Sequence, residues 1–342
     1  MFVQAFWHAR TEMWWEFHNR AFEYLNGVPR RISYDNAKVL VSAVTGKRTR
    51  RLTQGFLQLQ SHYRFEEHFC GVNRPNEKGV VEGTVKFARL KLFVPVPQVR
   101  DLGELNARLV EQCRQDLQRR LRGQVVSKAA LLEEDQAAFL PLPAAPFDAC
   151  LKVHAQASQR SVVRFDTNDY SVPTAFAHHE LLVKGYVDRV EVCCADRVIA
   201  RHARCWGREM EILDPLHYLA LLSRKPGALD FGRPFAEWDL PDCFSVLRAR
   251  LEHERGDAGT REFIEVLRLL DVHSLGEVTR AIERGLGCNA LIRDAIAQFL
   301  VPQEDWRGRT FRLDGREHLR QVQVATTDVG AYSELVAGGG RR

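Results

Sequence analysis

Apolar positions in the first hundred residues alternate between two rhythms. Met1–Trp7 is a short apolar run that reads as a strand. Thr11 suits an N-cap and Glu12 a first helical turn, and Trp14, Phe17, Ala21, Tyr24 and Leu25 then recur at helical spacing, placing aromatics in a core. Gly27 and Pro29 stop that helix, and Ile32–Asp35 follows as a buried strand ending on a carboxylate. Phe56–Tyr63 predicts a second helix and Phe65–Cys70 a second short strand. Strand–helix–strand–helix order implies an α/β layered fold. From Gly79 a further helix is expected, with Val81, Val85, Ala88 and Leu92 on one stripe. Glu82, Lys86 and Arg89 form another stripe, with Lys78 one turn earlier. Phe93–Pro97 breaks the pattern, and Leu102–Leu121 predicts a helix ending in Arg119, Arg120 and Arg122.

Beyond residue 128 the rhythm changes twice. Residues 129–155 turn acidic and then proline- and alanine-rich through Leu140–Pro146, which marks a linker. Residues 156–208 switch to period two. Ser161–Phe165, Tyr170–Pro173, Leu181–Tyr186, Arg189–Cys193 and Val198–His202 predict short strands, with turns at Asp166–Asp169 and Ala195-Asp196. Five short strands in so small a span suggest an antiparallel β-barrel. Residues 209–300 return to helical spacing (Leu216, Leu219, Leu222; Phe244, Leu247, Leu251; Phe263, Val266, Leu267, Leu270; Leu291, Ala295, Phe299). Residues 301–342 form a tail whose Gly-Gly-Gly-Arg-Arg end predicts disorder. No internal repeat is evident.

Composition narrows the class. Of the 342 residues, 45% are hydrophobic and 27% charged, an ordinary globular balance. No apolar run approaches the roughly 20 residues of a membrane span. Met1–Trp7 lacks the basic start and cleavage site of a signal peptide and reads as the interior of a domain, as though the chain begins mid-fold. Eight cysteines without a C-x-x-C pair suggest reduced thiols in a cytosol. His62, His68 and Cys70 could be metal ligands, but they lack a fourth partner, and packing or surface roles are the simpler reading. The net charge of +5 is uneven: residues 1–128 hold 22 Lys/Arg against 12 Asp/Glu, whereas the remainder is acidic. A basic first third fits a polyanionic partner. Residues 152–208 are mildly basic, compatible with nucleic-acid or protein contact.

Two acids stand out within that basic third. Asp35 closes a strand, and Glu82 lies 47 positions on, at a helix start after Asn76-Glu77-Lys78-Gly79. Carboxylates so placed suit a divalent-metal site for phosphodiester chemistry, since Mg²⁺ takes one or two carboxylates plus phosphate oxygens. Lys78, Lys86 and Arg89, in line with Glu82, would hold the backbone of the nucleic acid. Such a site normally needs a third acid on an earlier strand, and no aspartate precedes Asp35.

The string Gly27–Asn36 and the run Asn76–Glu82 resemble the IstA-type transposases of bacterial insertion sequences, in the retroviral-integrase superfamily. The resemblance continues through Phe93–Pro97, Leu140–Pro146, Val163–Pro173 and Ile212–Tyr218, in order along nearly the whole chain. It implies a partial ribonuclease-H-like integrase core over residues 1–128, followed by the small barrel of Mu-like transposases and a C-terminal helical region. It further implies Asp35 and Glu82 as the second and third acids of an Asp-Asp-Glu triad binding Mg²⁺ (or Mn²⁺). Phosphate contacts would come from Lys78, Lys86, Arg89, Arg30 and Arg31. Implied partners are DNA (element ends and target), other copies of the chain and an AAA+ helper ATPase, in a bacterial cytoplasm at the nucleoid.

The family's first aspartate and its N-terminal helix-turn-helix lie upstream of anything in this sequence. The expectation is therefore a transposase fragment, inactive as this chain. A second reading is a non-catalytic remnant that binds DNA, transposase or helper ATPase and regulates them. A stand-alone metal nuclease is a weaker third, because nothing replaces the missing acid. The genomic sequence just upstream of Met1 would best separate the first two.

Overall fold

Helix α1 (Thr11–Leu25) forms where the aromatic periodicity places it, but its buried face is turned by about one residue. Met13, Trp15, His18 and Phe22 are buried, while Trp14, Phe17 and Tyr24 are only partly so. Thr11 is the first helical residue instead of the cap; Arg10 occupies the cap position without a side-chain bond. Asn26 ends the helix in the left-handed conformation, φ 53°. Met1–Trp7 is not a strand. Its backbone is held by an amide: Ala5 N–H donates to Asn106 Oδ1 (2.8 Å), and Asn106 Nδ2 donates to Ala5 O (3.1 Å). Phe2 packs on Phe17 and Tyr24.

The computed structural model describes residues 1–34, 40–44, 50–69 and 75–301, with the backbone alone for 41–44, 50 and 75–82. Asp35, Asn36, Cys70 and the tail from residue 302, expected to be disordered, lie outside the described residues. Two units result, Met1–Asp239 and a second beginning at Leu240.

In the first unit, β1 (Arg31–Tyr34), β2 (Val41–Val44), β3 (Arg50–Leu52), α2 (Gln54–Tyr63) and β4 (Glu66–Phe69) follow α1. β1 and β4 pair in parallel, from Arg31↔Glu66 to Tyr34↔Phe69, and β2 pairs antiparallel with β3. Parallel neighbours need a crossover, and α2 lies within it. The Thr53 hydroxyl caps α2 by accepting from Phe56 N–H. Gly55 is required there, because a Cβ would stand 2.2 Å from the Trp15 ring. Around it gathers an aromatic core of Trp15, Phe22, Tyr34, Phe56, Tyr63 and Phe65 with Val28, Leu40 and Leu59.

Helices α3 (Pro75–Leu92), α4 (Leu102–Leu117) and α5 (Lys128–Gln136) come next. α3 begins four residues before Gly79, on a proline that suits the first helical position because its missing N–H is not needed there. Glu82 is therefore about two turns inside the helix, not in its first turn. α4 stops four residues short of Leu121, and the chain turns through Gly123 at φ 82°. The proline–alanine run lies against the aromatic core: Leu140 exchanges backbone hydrogen bonds with Val28, and Phe147 packs edge-on to Trp15.

The period-two region forms β5 (Leu151–Gln156), β6 (Val162–Phe165), β7 (Asn168–Ser171), β8 (Glu180–Gly185), β9 (Arg189–Cys194), β10 (Arg197–Ala203) and β11 (Glu211–Ile212). Instead of a closed barrel they make two sheets, a four-stranded one ordered β10-β9-β8-β5 and a three-stranded one ordered β11-β7-β6. Both sheets contribute to one core of Val163, Phe165, Tyr170, Leu181, Val183, Val190 and Val192. Gly185 permits the approach, since a Cβ there would meet the Phe165 ring at 2.1 Å. Asp166 and Thr167, both left-handed, make a two-residue hairpin turn whose twist suits the flanking strands. Ser171 joins the sheets to the segment after β11. Its Oγ accepts from Asp214 N–H (2.8 Å) and lies 2.8 Å from His217 Nδ1, while His202 Nε2 donates to its carbonyl (2.7 Å).

Short helices α6 (Leu219–Leu222) and α7 (Ala228–Phe231) complete this unit. Leu219 and Leu222 are buried as the spacing predicts, but Leu216 is exposed. The second unit holds α8 (Asp242–Arg255), α9 (Asp257–Leu267), α10 (Leu275–Gly287) and α11 (Arg293–Gln298) around Phe244, Leu247, Leu251, Phe263, Leu267, Val278 and Ile282. Ser274 and Glu277 form a capping box at the start of α10.

Arg204 and Glu12, both with fully buried side chains, approach to 2.9 Å. Removing one member of such a pair strands a buried charge, so Arg204→Leu should cost about 3–5 kcal/mol in denaturant unfolding. The Glu12→Leu/Arg204→Leu double variant should recover part of that loss; additive losses would show that the charges do not act as a pair.

Burial holds His202 and His217 below the ordinary imidazole value, His217 at about 4, against the opposing pull of Asp214. With folded values depressed, this contribution to stability is complete above about pH 6.5 and is lost as pH falls toward 4. Denaturant unfolding across that range should show the decline, and His217→Gln should flatten it by about one proton. An unchanged slope would exclude His217 as a source.

Candidate nucleic-acid interface

The candidate site is built from the end of β1, from α3 and from the basic side chains around them. Tyr34, the last residue of β1, is buried beneath α1, where it meets His18. His18 Nδ1 donates to Trp14 O (2.7 Å), so its Nε2 accepts from the Tyr34 hydroxyl at 2.9 Å. Burial lowers the His18 value and raises that of Tyr34, keeping both neutral. This bond pins the strand end that directly precedes Asp35. Asp35 itself lies outside the described residues.

Helix α3 carries Lys78 and Glu82, described by their backbone alone, and then Lys86 and Arg89. Positions 78, 82, 86 and 89 share one helical stripe, as their spacing predicts. Lys86 and Arg89 are exposed and make no ion pair among the described residues. Arg31 is also exposed but is shared with Glu66 across the β1–β4 pair (3.1 Å). Arg30 donates through Nε to Ala138 O (2.8 Å), which ties β1 to the segment after α5.

Among the described residues no three His, Cys, Asp or Glu side chains gather as a metal site. His62 Nε2 bonds Ala145 O (3.0 Å) and His68 Nδ1 meets Ser33 Oγ (3.2 Å), so both have structural partners. Every described cysteine is a free thiol. No helix among the described residues is long and apolar enough to cross a membrane.

Sequence reasoning passed over Asp116, which is buried at the end of α4 and surrounded by cations. Lys91 Nζ lies 3.0 Å from Oδ1, Arg119 Nε 3.2 Å from Oδ1, and Lys128 pairs with Oδ2. Hydrogen bonds from Lys128 and Lys91 overcome the cost of burial and hold its carboxyl at about 2. A signal was present: with Leu109 and Cys113, Asp116 falls on the buried stripe of α4, where an acid demands partners.

Residues 142–214 match the family described as the Mu transposase C-terminal domain. A transposase of Aminobacter aminovorans is 33% identical over 339 residues, 97% of this chain and 66% of the relative. The transposase for insertion sequences IS1326/IS1353 of Pseudomonas aeruginosa is 32% identical over 306 residues, 87% of this chain and 59% of the relative. The transposase for insertion sequence element IS21 of the same organism is 28% identical over 189 residues, 54% of this chain and 48% of the relative. The chain thus spans about three-fifths of the length of the curated relatives it matches most extensively. On these matches, the chain belongs to the IS21 (IstA-type) family of insertion-sequence transposases.

Proposed function

We propose that this chain is the part of a DNA transposase that carries two acids of a metal-dependent phosphoryl-transfer site, Asp35 and Glu82. The observation that supports it most is the parallel β1–β4 pair, with an acid directly after β1 and an acid-bearing helix after β4. In this reading residues 1–128 belong to a ribonuclease-H-like integrase core, residues 129–155 link it onward, and residues 156–208 are the two-sheet module that corresponds to the C-terminal domain of Mu-like transposases. Residues 209–300 form the helical region and 301–342 a tail. Two carboxylates are a hard oxygen donor set of the kind Mg²⁺ or Mn²⁺ accepts. Bound there, the metal would polarise the scissile phosphodiester and activate the attacking oxygen.

The chain's own residues supply position and charge. The Tyr34–His18 bond holds the strand end before Asp35, and Lys78, Lys86, Arg89, Arg30 and Arg31 neutralise DNA phosphates. Such contacts set register without reading sequence. The partners of this reading are element ends, target DNA, further copies of the chain and a helper ATPase of the AAA+ class, at the bacterial nucleoid.

Ahead of Asp35 this sequence offers three acids, Glu12, Glu16 and Glu23, all on α1. Glu12 is buried against Arg204, and Glu16 is paired with Arg20 at 2.6 Å. None stands at a strand end, and a displacement of about 1 Å already costs ~100-fold in rate. Purified residues 1–342 should therefore show no strand transfer with Mg²⁺ or Mn²⁺ on oligonucleotide substrates. A version extended upstream by an aspartate-bearing strand should be active and should lose activity on Asp35→Ala. Strand transfer by the 342-residue chain, abolished by Asp35→Ala, would mean that the first ligand lies among residues already present.

Duplex binding tests the phosphate role separately. Each phosphate contact contributes about 0.9 to the slope of log affinity against log salt. Lys86→Ala/Arg89→Ala should flatten that slope by about 2. A slope equal to that of the parent chain would remove these two residues from the interface.

A further inference from the structure

The cations around Asp116 do more than satisfy a buried acid. The chain between α4 and α5 folds back tightly: Lys128 N–H donates to Arg119 O (3.0 Å), Gln124 N–H donates to Leu121 O (3.0 Å), and Arg120 bridges Ser127. Gly123, at φ 82°, supplies the left-handed residue that the reversal needs. Ser127 then caps α5 by accepting from Ala130 N–H. The turn is fastened to α3 twice. Asp116 takes Lys91 and Arg119 together, and the Phe87 ring lies 4.7 Å beneath the Arg119 guanidinium and 5.5 Å from Lys91 Nζ. Arg120 and Arg122 project from it, exposed and without an ion pair among the described residues.

Residues 83–92 and 114–128 hold eight Lys/Arg against one acid, Asp116, which neutralises a single charge. Phe87 and Lys91 join this turn to α3, while Lys86 and Arg89 lie on a neighbouring stripe of the same helix.

We infer that the α4–α5 turn, through Arg120 and Arg122, is a second phosphate-binding element that, together with Lys86 and Arg89 of α3, makes one track for duplex DNA. The inference rests on the DNA-binding reading above and adds residues to it. Arginine at a fixed turn suits a phosphate oxygen pair, which its planar fork can take with two donors. A membrane surface is the other polyanion that such a turn could meet, and Val125 and Val126 are exposed beside it. Interfacial binding, however, draws on the long apolar face of an amphipathic helix, which two valines on a turn do not provide.

The test is salt-dependent binding of a random-sequence duplex by the full 342-residue chain and by Arg120→Ala/Arg122→Ala, with Lys86→Ala/Arg89→Ala as comparator. Both Arg120 and Arg122 are exposed, so the thermal midpoint of the variant should match that of the parent. The turn variant should flatten the salt slope by about 2, and the fourfold variant by about 4. A parent that binds with the expected slope beside a turn variant of equal slope overturns the track but leaves the function standing. A fourfold variant no flatter than either double shows that the two elements do not engage one duplex, and overturns the continuity. A parent that binds no duplex at all brings down both readings. Loss of binding to phosphatidylserine vesicles with duplex binding intact would assign the turn to a membrane instead.

Discussion

A guanidinium cut off from water must find its partners within the protein, and Arg204 finds them through its two Nη atoms at the junction of three elements, leaving Nε without one. Its Nη1 donates to Tyr186 O (2.6 Å) and its Nη2 to Asp166 Oδ2 (3.0 Å), while Nη2 also stands 2.9 Å from Glu12 at the start of α1. The Trp206 ring covers it at 4.0 Å, and Arg10 reaches the same Asp166 carboxylate from the rim. No Glu12 oxygen accepts an aligned hydrogen bond, so that contact is ionic and its strength depends on water staying out. The α/β segment and the paired sheets are thereby tied through one charge cluster, with α1 as the lever.

That lever reaches the candidate site. Glu12, Trp15, His18 and Phe22 lie along the buried face of α1. The charge cluster fixes one end of that face and the aromatic core its middle. His18 then grips Tyr34, the residue before Asp35. Among the described residues β1 pairs only with β4, so the Tyr34–His18 bond adds a second support to the end of that strand. A four-residue strand paired with one neighbour would otherwise be marginal.

Local rhythm made much of the fold legible. The strands between residues 160 and 203 and the helices of the second unit fall close to where period two and period 3.6 place them, because their cores are built from neighbours in sequence. What escaped was long-range. Met1–Trp7 is apolar and looks like a strand, yet its backbone partner is an Asn106 side chain. The one-residue rotation of α1 comes from Glu12 and His18 being inside, which a hydrophobic count treats as outside. α3 starts at Pro75 because a proline that ends one pattern can open the next. The Lys86–Arg89 stripe was readable from helical spacing alone. Pairing Asp35 with Glu82 drew instead on acid chemistry and resemblance, since the two belong to different elements.

Charge is spread unevenly along the chain. In residues 240–301, eight arginines stand against ten acids. The surplus lies in the first 128 residues, and the described part of it divides into pinned and free cations. Lys91, Arg119 and Lys128 are committed to the buried Asp116 carboxylate, where they hold the helices in place. Lys86, Arg89, Arg120 and Arg122 are displayed by that scaffold. Lysine hydrogen bonds hold the buried Asp116 carboxyl at about 2, so Lys91, Arg119 and Lys128 keep an ionised partner across the physiological range. Cations displayed from packed elements meet an external anion with less ordering to do than cations on a loose segment.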